Sequence, residues 1–348
     1  YVGGQFNLIG SRAKGRIARY YTDGRLDADF ASGIGFDGTV VTLLLTDNRL
    51  YAGGAFSSYD GQTTEKIARL HLDGSLDTAF VVPGTGFNSS VVKIKPSFDT
   101  PGAIYAAGNF TDYNGTGAVR MARLLSNGSL DVGFNSGSGF DATVLDFVQV
   151  SVAPFNIAAV GTFLNHGGNQ AQRIGMVTVA GAFDGGFSAF PACDSVARAI
   201  TIVNGTELYV FGDFANYNAT AAEGGVVLTT NGAFQVGIPA GFTSGAGPVA
   251  VVKAPWLSDH FYVGGSFSTF STQSPAHAML INNGGAINVS FDTDPGFDGN
   301  VRALAASAAT EYRIYMGGLF TSYNSVSADY LARLRTDGTL DTSFPQVP

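Results

Sequence analysis

A single cysteine, Cys193, stands in 348 residues. That excludes a disulfide framework within the chain and any multi-cysteine metal site. Charge is scarce too. Asp, Glu, Lys and Arg together make up 13% of the chain, roughly half the usual share, and only five residues are lysine. The balance is acidic, at −8. No basic patch suggests nucleic acid, and an anionic membrane surface would repel the chain. No apolar run reaches the ~18 residues that a membrane helix needs. The opening residues lack the charged-then-apolar pattern of a secretory leader. Helix-forming Ala/Leu/Glu/Lys stretches are missing as well.

What is abundant points to strands and turns. Gly contributes 47 residues and Phe 27, within a chain that is 45% hydrophobic. Tight turns use the glycine, and pleated layers use the aromatics.

The decisive feature is a repeat. Tyr1-Val2-Gly3-Gly4-Gln5-Phe6 returns as Tyr51–Phe56, Tyr105–Phe110, Ala158–Phe163, Tyr209–Phe214, Tyr262–Phe267 and Tyr315–Phe320, at spacings of 50 to 54 residues. Each copy is followed by an Ile-Ala-Arg-Leu block: Ile17–Tyr20, Ile67–Leu70, Met121–Leu124 and Leu331–Leu334, with degenerate forms at Ile174–Val177, Gly225–Leu228 and Ala278–Ile281. Next comes Asp-Gly or Asn-Gly, at Asp23, Asp73, Asn127, Asn231, Asn283 and Asp337. This dipeptide predicts a two-residue type I′ hairpin turn. A Leu-Asp-x-x-Phe run then leads into a Gly-Phe-Asp/Asn linker at Gly35, Gly86, Gly139 and Gly296, and into an apolar run such as Val40–Leu45.

Four strand-like runs per unit of this length predict a propeller blade. The expected fold is therefore all-β: one seven-bladed β-propeller of four-stranded antiparallel blades over residues 1–348, its units starting near 1, 51, 105, 158, 209, 262 and 315. The linker and first run that would complete the unit at Tyr1 are found at neither end. The first blade is expected to lack one strand, which residues outside this sequence or a neighbouring molecule would supply by strand addition.

These motifs closely resemble the delta-60 repeat (kelch-like) β-propeller family, and Tyr51–Phe87 is an almost complete instance. The resemblance spans essentially the whole chain, with units four to six degenerate. It implies the fold and an extracellular or particle-surface setting, as in the large exported surface proteins of microbes. It brings no catalytic residues.

Candidate chemistry is sparse. Gly33-Ile34-Gly35-Phe36-Asp37-Gly38 has GxGxxG spacing but precedes a strand run, whereas a dinucleotide loop precedes a helix. Arg19, Arg69, Arg123 and Arg333 each stand eight residues before an Asp (Asp27, Asp77, Asp131, Asp341). Across a hairpin these predict structural ion pairs. His71, His166, His260 and His277 show no metal-ligand spacing. Cys193 occupies the place of the linker Phe and reads as a buried small hydrophobe. The loop after each Tyr-x-Gly-Gly-x-Phe block carries Tyr59-Asp60, Tyr113-Asn114, Tyr217-Asn218, Phe270 and Tyr323-Asn324. These residues could form a sugar-binding rim, or they could pack and start the turn. Sequons stand at Asn88, Asn109, Asn114, Asn127, Asn204, Asn218 and Asn288, with Asn109 discounted because it lies in a strand run. All would matter only in a glycosylating compartment.

The expectation is a non-enzymatic extracellular structural or adhesive module, a subunit of a surface appendage, fibre or particle. It would self-associate or join other surface proteins and need no cofactor, metal, nucleic acid or membrane insertion. The alternatives are a carbohydrate-binding propeller and a glycan hydrolase or lyase.

Overall fold

The computed structural model describes residues 1–30, 33–80, 86–134, 137–150, 153–187, 193–238, 242–243, 247–270, 274–291, 295–307 and 312–344. They form two compact units, 1–171 with 175–185 and 172–174 with 186–348.

Antiparallel sheets with the same wiring recur in both units. In the first, Val40–Thr46 pairs with Arg49–Gly54, which pairs with Ile67–Leu70. Val91–Pro96, Ile104–Gly108 and Met121–Leu124 repeat this order, and Val144–Gln149 pairs with Ile157–Gly161. In the second unit the order returns in Pro248–Lys253, His260–Gly265 and Ala278–Asn282, and in Val301–Ala306, Ile314–Gly318 and Leu331–Leu334. The sheet of Ala197–Val203, Glu207–Gly212 and Gly225–Thr229 adds a fourth strand, Phe234–Gly237. At the amino end Val2–Gly3 pairs with Ile17–Ala18 in a two-stranded sheet among the described residues.

A bulge recurs at the start of the first strand, between Val40 and Thr42 and again between Val91 and Lys93, Val144 and Asp146, and Val301 and Ala303. Such a bulge bends the strand and increases its twist. The cores lie between successive sheets: Ile17 and Phe30 of one repeat pack with Val40, Leu50 and Phe56 of the next. Middle strands are buried on both faces, as at Ile104–Gly108, which explains why they read as apolar runs without alternation.

Two local expectations are corrected. The Leu-Asp-x-x-Phe run is not a full strand in most repeats. It makes one bridge, such as Leu70↔Leu76, Leu124↔Leu130 or Leu334↔Leu340. The chain then winds into a turn, because Asp77 accepts the Ala79 N–H with its carboxylate and the Phe80 N–H with its carbonyl. That turn drops Phe80 into the core at 4% exposure. The Asp-Gly and Asn-Gly turns after the Arg block are not type I′ either. Only the glycine has positive φ, +95° at Gly74 and +84° at Gly128, and the preceding Asp73 or Asn127 side chain accepts the N–H two residues on.

Candidate functional site

The rim loops were the leading site residues, and their geometry decides what they do. Ser58–Tyr59 pairs with Gln62–Thr63, leaving Asp60-Gly61 as a two-residue turn with φ of +47° and +75°. Asn114-Gly115 repeats this at +52° and +79°, Asn218-Ala219 at +48° and +61°, and Asn324-Ser325 at +49° and +63°. Positive φ at both central residues marks the type I′ hairpin, which favours Asn, Asp and Gly. The hairpin chemistry expected at the other turn is located here.

The side chains of these turns hold the linker. Asp60 accepts the Ile34 N–H at 3.0 Å, Asn114 that of Gly86 at 2.6 Å and Asn324 that of Gly296 at 2.7 Å. The tyrosines point inward. Tyr59, Tyr113, Tyr217 and Tyr323 are 1%, 4%, 0% and 0% exposed. Each hydroxyl donates to a glycine carbonyl fifteen residues on: Gly74 at 2.5 Å, Gly128 at 2.6 Å, Gly232 at 2.9 Å and Gly338 at 2.5 Å. Burial pushes the Tyr113 hydroxyl up to about 12. Phe270 is likewise buried at 2%. A sugar-stacking rim needs exposed ring faces, so the structure corrects that assignment: these rings are core.

A second recurring clamp escaped the sequence reading. The linker Asp accepts two backbone N–H groups of the next rim loop. Asp37 takes Ser57 and Ser58, Asp141 takes Leu164 and Asn165, Asp194 takes Ala215 and Asn216, and Asp298 takes Thr321 and Ser322, all within 2.7–3.1 Å. Asn88 does the same for Thr111 and Asp112, while its amide nitrogen donates to the Thr111 hydroxyl. Burial alone would raise the Asp298 carboxyl, but bonds from the Thr321 hydroxyl and these N–H groups outweigh it and hold the group at about 2. The signal was present in the sequence: an Asp or Asn follows Phe36, Phe87, Phe140, Cys193 and Phe297, while Thr243 follows Phe242.

The Arg–Asp pairs form as expected. Arg19–Asp27, Arg69–Asp77, Arg123–Asp131 and Arg333–Asp341 close at 2.5, 2.8, 2.7 and 3.0 Å. Each of the first three arginines also donates across to the turn of the following repeat, to Leu72, Ser126 and Val179 carbonyls. The GxGxxG stretch is explained by packing: a Cβ on Gly35 would lie 2.4 Å from the Gly15 Cα, and one on Gly38 would lie 2.4 Å from the Ala55 carbonyl oxygen.

Cys193 is 4% exposed and bridges Tyr217 through the backbone; burial pushes its thiol up, away from reactivity. His166 is buried in the tyrosine position. Asn127, Asn204 and Asn218 are exposed, whereas Asn114 and Asn288 are only half-exposed. Among the described residues no group of three or more His, Cys, Asp or Glu could hold a metal, and no helix is long and apolar enough to cross a membrane.

A family model described as "Domain of unknown function (DUF5122) beta-propeller" matches residues 1–30, 45–80, 102–134 and 313–344. The fold is all-β and propeller-like. Solved structures agree. One is the WD40 β-propeller domain of Doa1, 12% identical, covering 86% of this chain and 93% of its own with a TM-score of 0.50. Another is a chain of a mitotic checkpoint complex, 13% identical, covering 96% and 85% with a TM-score of 0.53. At these identities the likeness concerns the propeller fold alone. No curated protein matches the sequence.

Proposed function

We propose that the chain is a non-enzymatic structural or adhesive module of an extracellular or particle surface. It would be a rigid subunit of an appendage, fibre or array that associates with its own kind or with other surface proteins. In this reading the repeats are of the delta-60, kelch-like kind and make one seven-bladed propeller.

One observation supports it most: the recurring polar groups are consumed by the fold itself. Tyrosine hydroxyls hold turn carbonyls, linker aspartates hold rim N–H groups, and arginines hold an aspartate and the next repeat's turn. Repetition of the same bonds suits a scaffold, whereas a catalytic centre is a unique arrangement. Electron microscopy of native material should show filaments or arrays. Dispersed single particles that turn over a substrate would overturn the reading.

A further inference from the structure

The seventh repeat leaves, at one end of its sheet, a cation that the fold does not use. Its place is fixed by a recurring bulge. Arg302 sits in the bulge between Val301 and Ala303, as Arg198 sits in the bulge between Ala197 and Ala199. Arg198 grips Asp213, the residue after Gly212, at 2.5–2.9 Å. The residue after Gly318 is Leu319, so an aliphatic side chain replaces the carboxylate that Arg198 finds. Arg302 is exposed, and among the described residues its guanidinium has no hydrogen-bond or ion-pair partner.

A further position leans on the same residue. In an earlier repeat the Arg120 carbonyl accepts the Gly108 N–H, and the Arg120 guanidinium donates to the side chain of Asn109, the residue after that glycine. The Tyr330 carbonyl accepts the Gly318 N–H in the same way, which sets Tyr330 beside Leu319. Leu319 is 53% exposed and Tyr330 61%. Single exposed apolar side chains are ordinary, but tyrosine and arginine together are the residues that anchor interfaces.

Charge selects what they meet. The chain carries −8, so two copies repel unless an unused cation meets an unused carboxylate. Asp47 is such a carboxylate. It is exposed, and among the described residues its side chain has no hydrogen-bond or ion-pair partner. It belongs to the two-residue turn Asp47-Asn48, closed by Thr46↔Arg49 with φ of +49° and +53°, a type I′ hairpin that presents it rigidly. Leu45, two residues earlier, is 55% exposed.

We propose that the Arg302–Leu319–Tyr330 patch docks on the Asp47 turn of a second copy of this chain. Arg302 takes the Asp47 carboxylate, and Leu45 packs on Leu319 beside the Tyr330 ring. The two patches differ, and they lie at unlike ends of their sheets: one at the linker end, the other at the hairpin between first and middle strands. The contact is therefore heterologous and repeats from copy to copy. A two-fold pairing of like patches is disfavoured, because it sets one Arg302 against another. The site rests on the assembly reading above and names its joint.

The test is sedimentation velocity of the whole protein over a range of concentrations. Self-association is expected, and it should weaken as salt rises. Arg302→Glu and Asp47→Lys should each weaken it about ten-fold, the effect of losing a close charge pair across an interface. The double variant, with its charges exchanged, should recover most of that loss. Both side chains are exposed, so these variants should melt like the wild type. Asp47→Asn suits the positive φ of the turn; it stands in for Asp47→Lys if that variant melts lower, and should itself weaken association. Association that ignores these substitutions overturns the joint, and so does a double variant no better than the single ones or a wild type that stays monomeric. Any of those results beside native arrays seen by microscopy would sink this joint and keep the assembly reading; charge-sensitive association beside native material that is only dispersed particles would do the reverse.

Discussion

Replacing His166 with tyrosine should stabilise this protein. The residue sits where other repeats carry the buried tyrosine, at 2% exposure, and among the described residues neither ring nitrogen has a hydrogen-bond partner. An unsatisfied buried polar group costs about 1–3 kcal/mol, and a satisfied hydrogen bond contributes about 0.5–1.5 kcal/mol. The tyrosine hydroxyl would reach for Gly181, fifteen residues on, as its counterparts reach for Gly74 and Gly128. The seat has room. His166 lies 4.5 Å from Phe140, and Tyr113 lies 4.6 Å from Phe87. Phe183, bulkier than the Leu76 of another repeat, stacks on His166 at 6.0 Å. The Tyr217 repeat already combines a tyrosine with such a phenylalanine, Phe234 at 6.2 Å, and keeps its bond to Gly232.

A net gain of about 2 kcal/mol follows once small repacking costs are deducted, which raises the melting temperature by about 3–6 °C. pH provides a second readout. Burial lowers the His166 pKa below its ordinary 6.5, so the unfolded chain binds the proton more tightly and stability falls as pH drops below about 6.5. The advantage of His166→Tyr should therefore widen between neutral pH and pH 5. Calorimetry at both pH values decides it. A variant that melts below the wild type, or an advantage that shrinks on acidification, would refute the assignment.

Other perturbations test the remaining clamps. Tyr113→Phe keeps the ring and removes the bond to Gly128, and should cost about 1–2 kcal/mol in a denaturant titration; an unchanged midpoint would mean that the bond contributes nothing. Arg69→Met removes an ion pair with Asp77, a cation–π contact with Phe80 at 4.7 Å and the tie to Ser126. Arg49 still faces Asp77, so the loss should be about 2 kcal/mol and not the full cost of an orphaned buried charge. For Asp298, held at about 2 in the folded chain against an ordinary 3.8, the contribution is complete above about pH 4 and is lost as pH falls through 2. Asp298→Asn should flatten that acid decline while preserving the fold at neutral pH, since Asn88 makes the same two backbone bonds; an acid limb identical to the wild type would show that other carboxylates set it.

The repeat made the architecture legible because apolar strand runs, turn dipeptides and linker motifs coincide at a fixed interval. Arg69 and Asp77 were legible as a pair because the hairpin places residues eight apart on facing strands. What could not be read was direction. Tyr59 and Asp60 are adjacent in sequence and look alike as rim polar groups, yet the tyrosine is buried against Gly74 and the aspartate turns the chain. An aromatic with a polar tip suits an interface or a core equally, and only the ladder Ser58↔Thr63 decides between them. The turn type was misplaced for a related reason: Asp-Gly occurs at Asp60 and at Asp73, and sequence alone does not count the residues bridging the two ladders.

The degenerate repeats then take on meaning. Val227 replaces the arginine that ties one repeat to the next, and in that repeat the Tyr209 hydroxyl donates to the Asn283 carbonyl at 2.6 Å, in the following repeat's turn. The tie survives with a different donor. Loss of the Ile-Ala-Arg-Leu signature there is a substitution of one cross-repeat bond for another, not a loss of the repeat. Tyr209→Phe should therefore destabilise its unit by about 1 kcal/mol, and Tyr51→Phe should do so less, because Arg69 carries the tie in that repeat. Equal losses at the two positions would show that the Tyr209 bond does not replace the arginine.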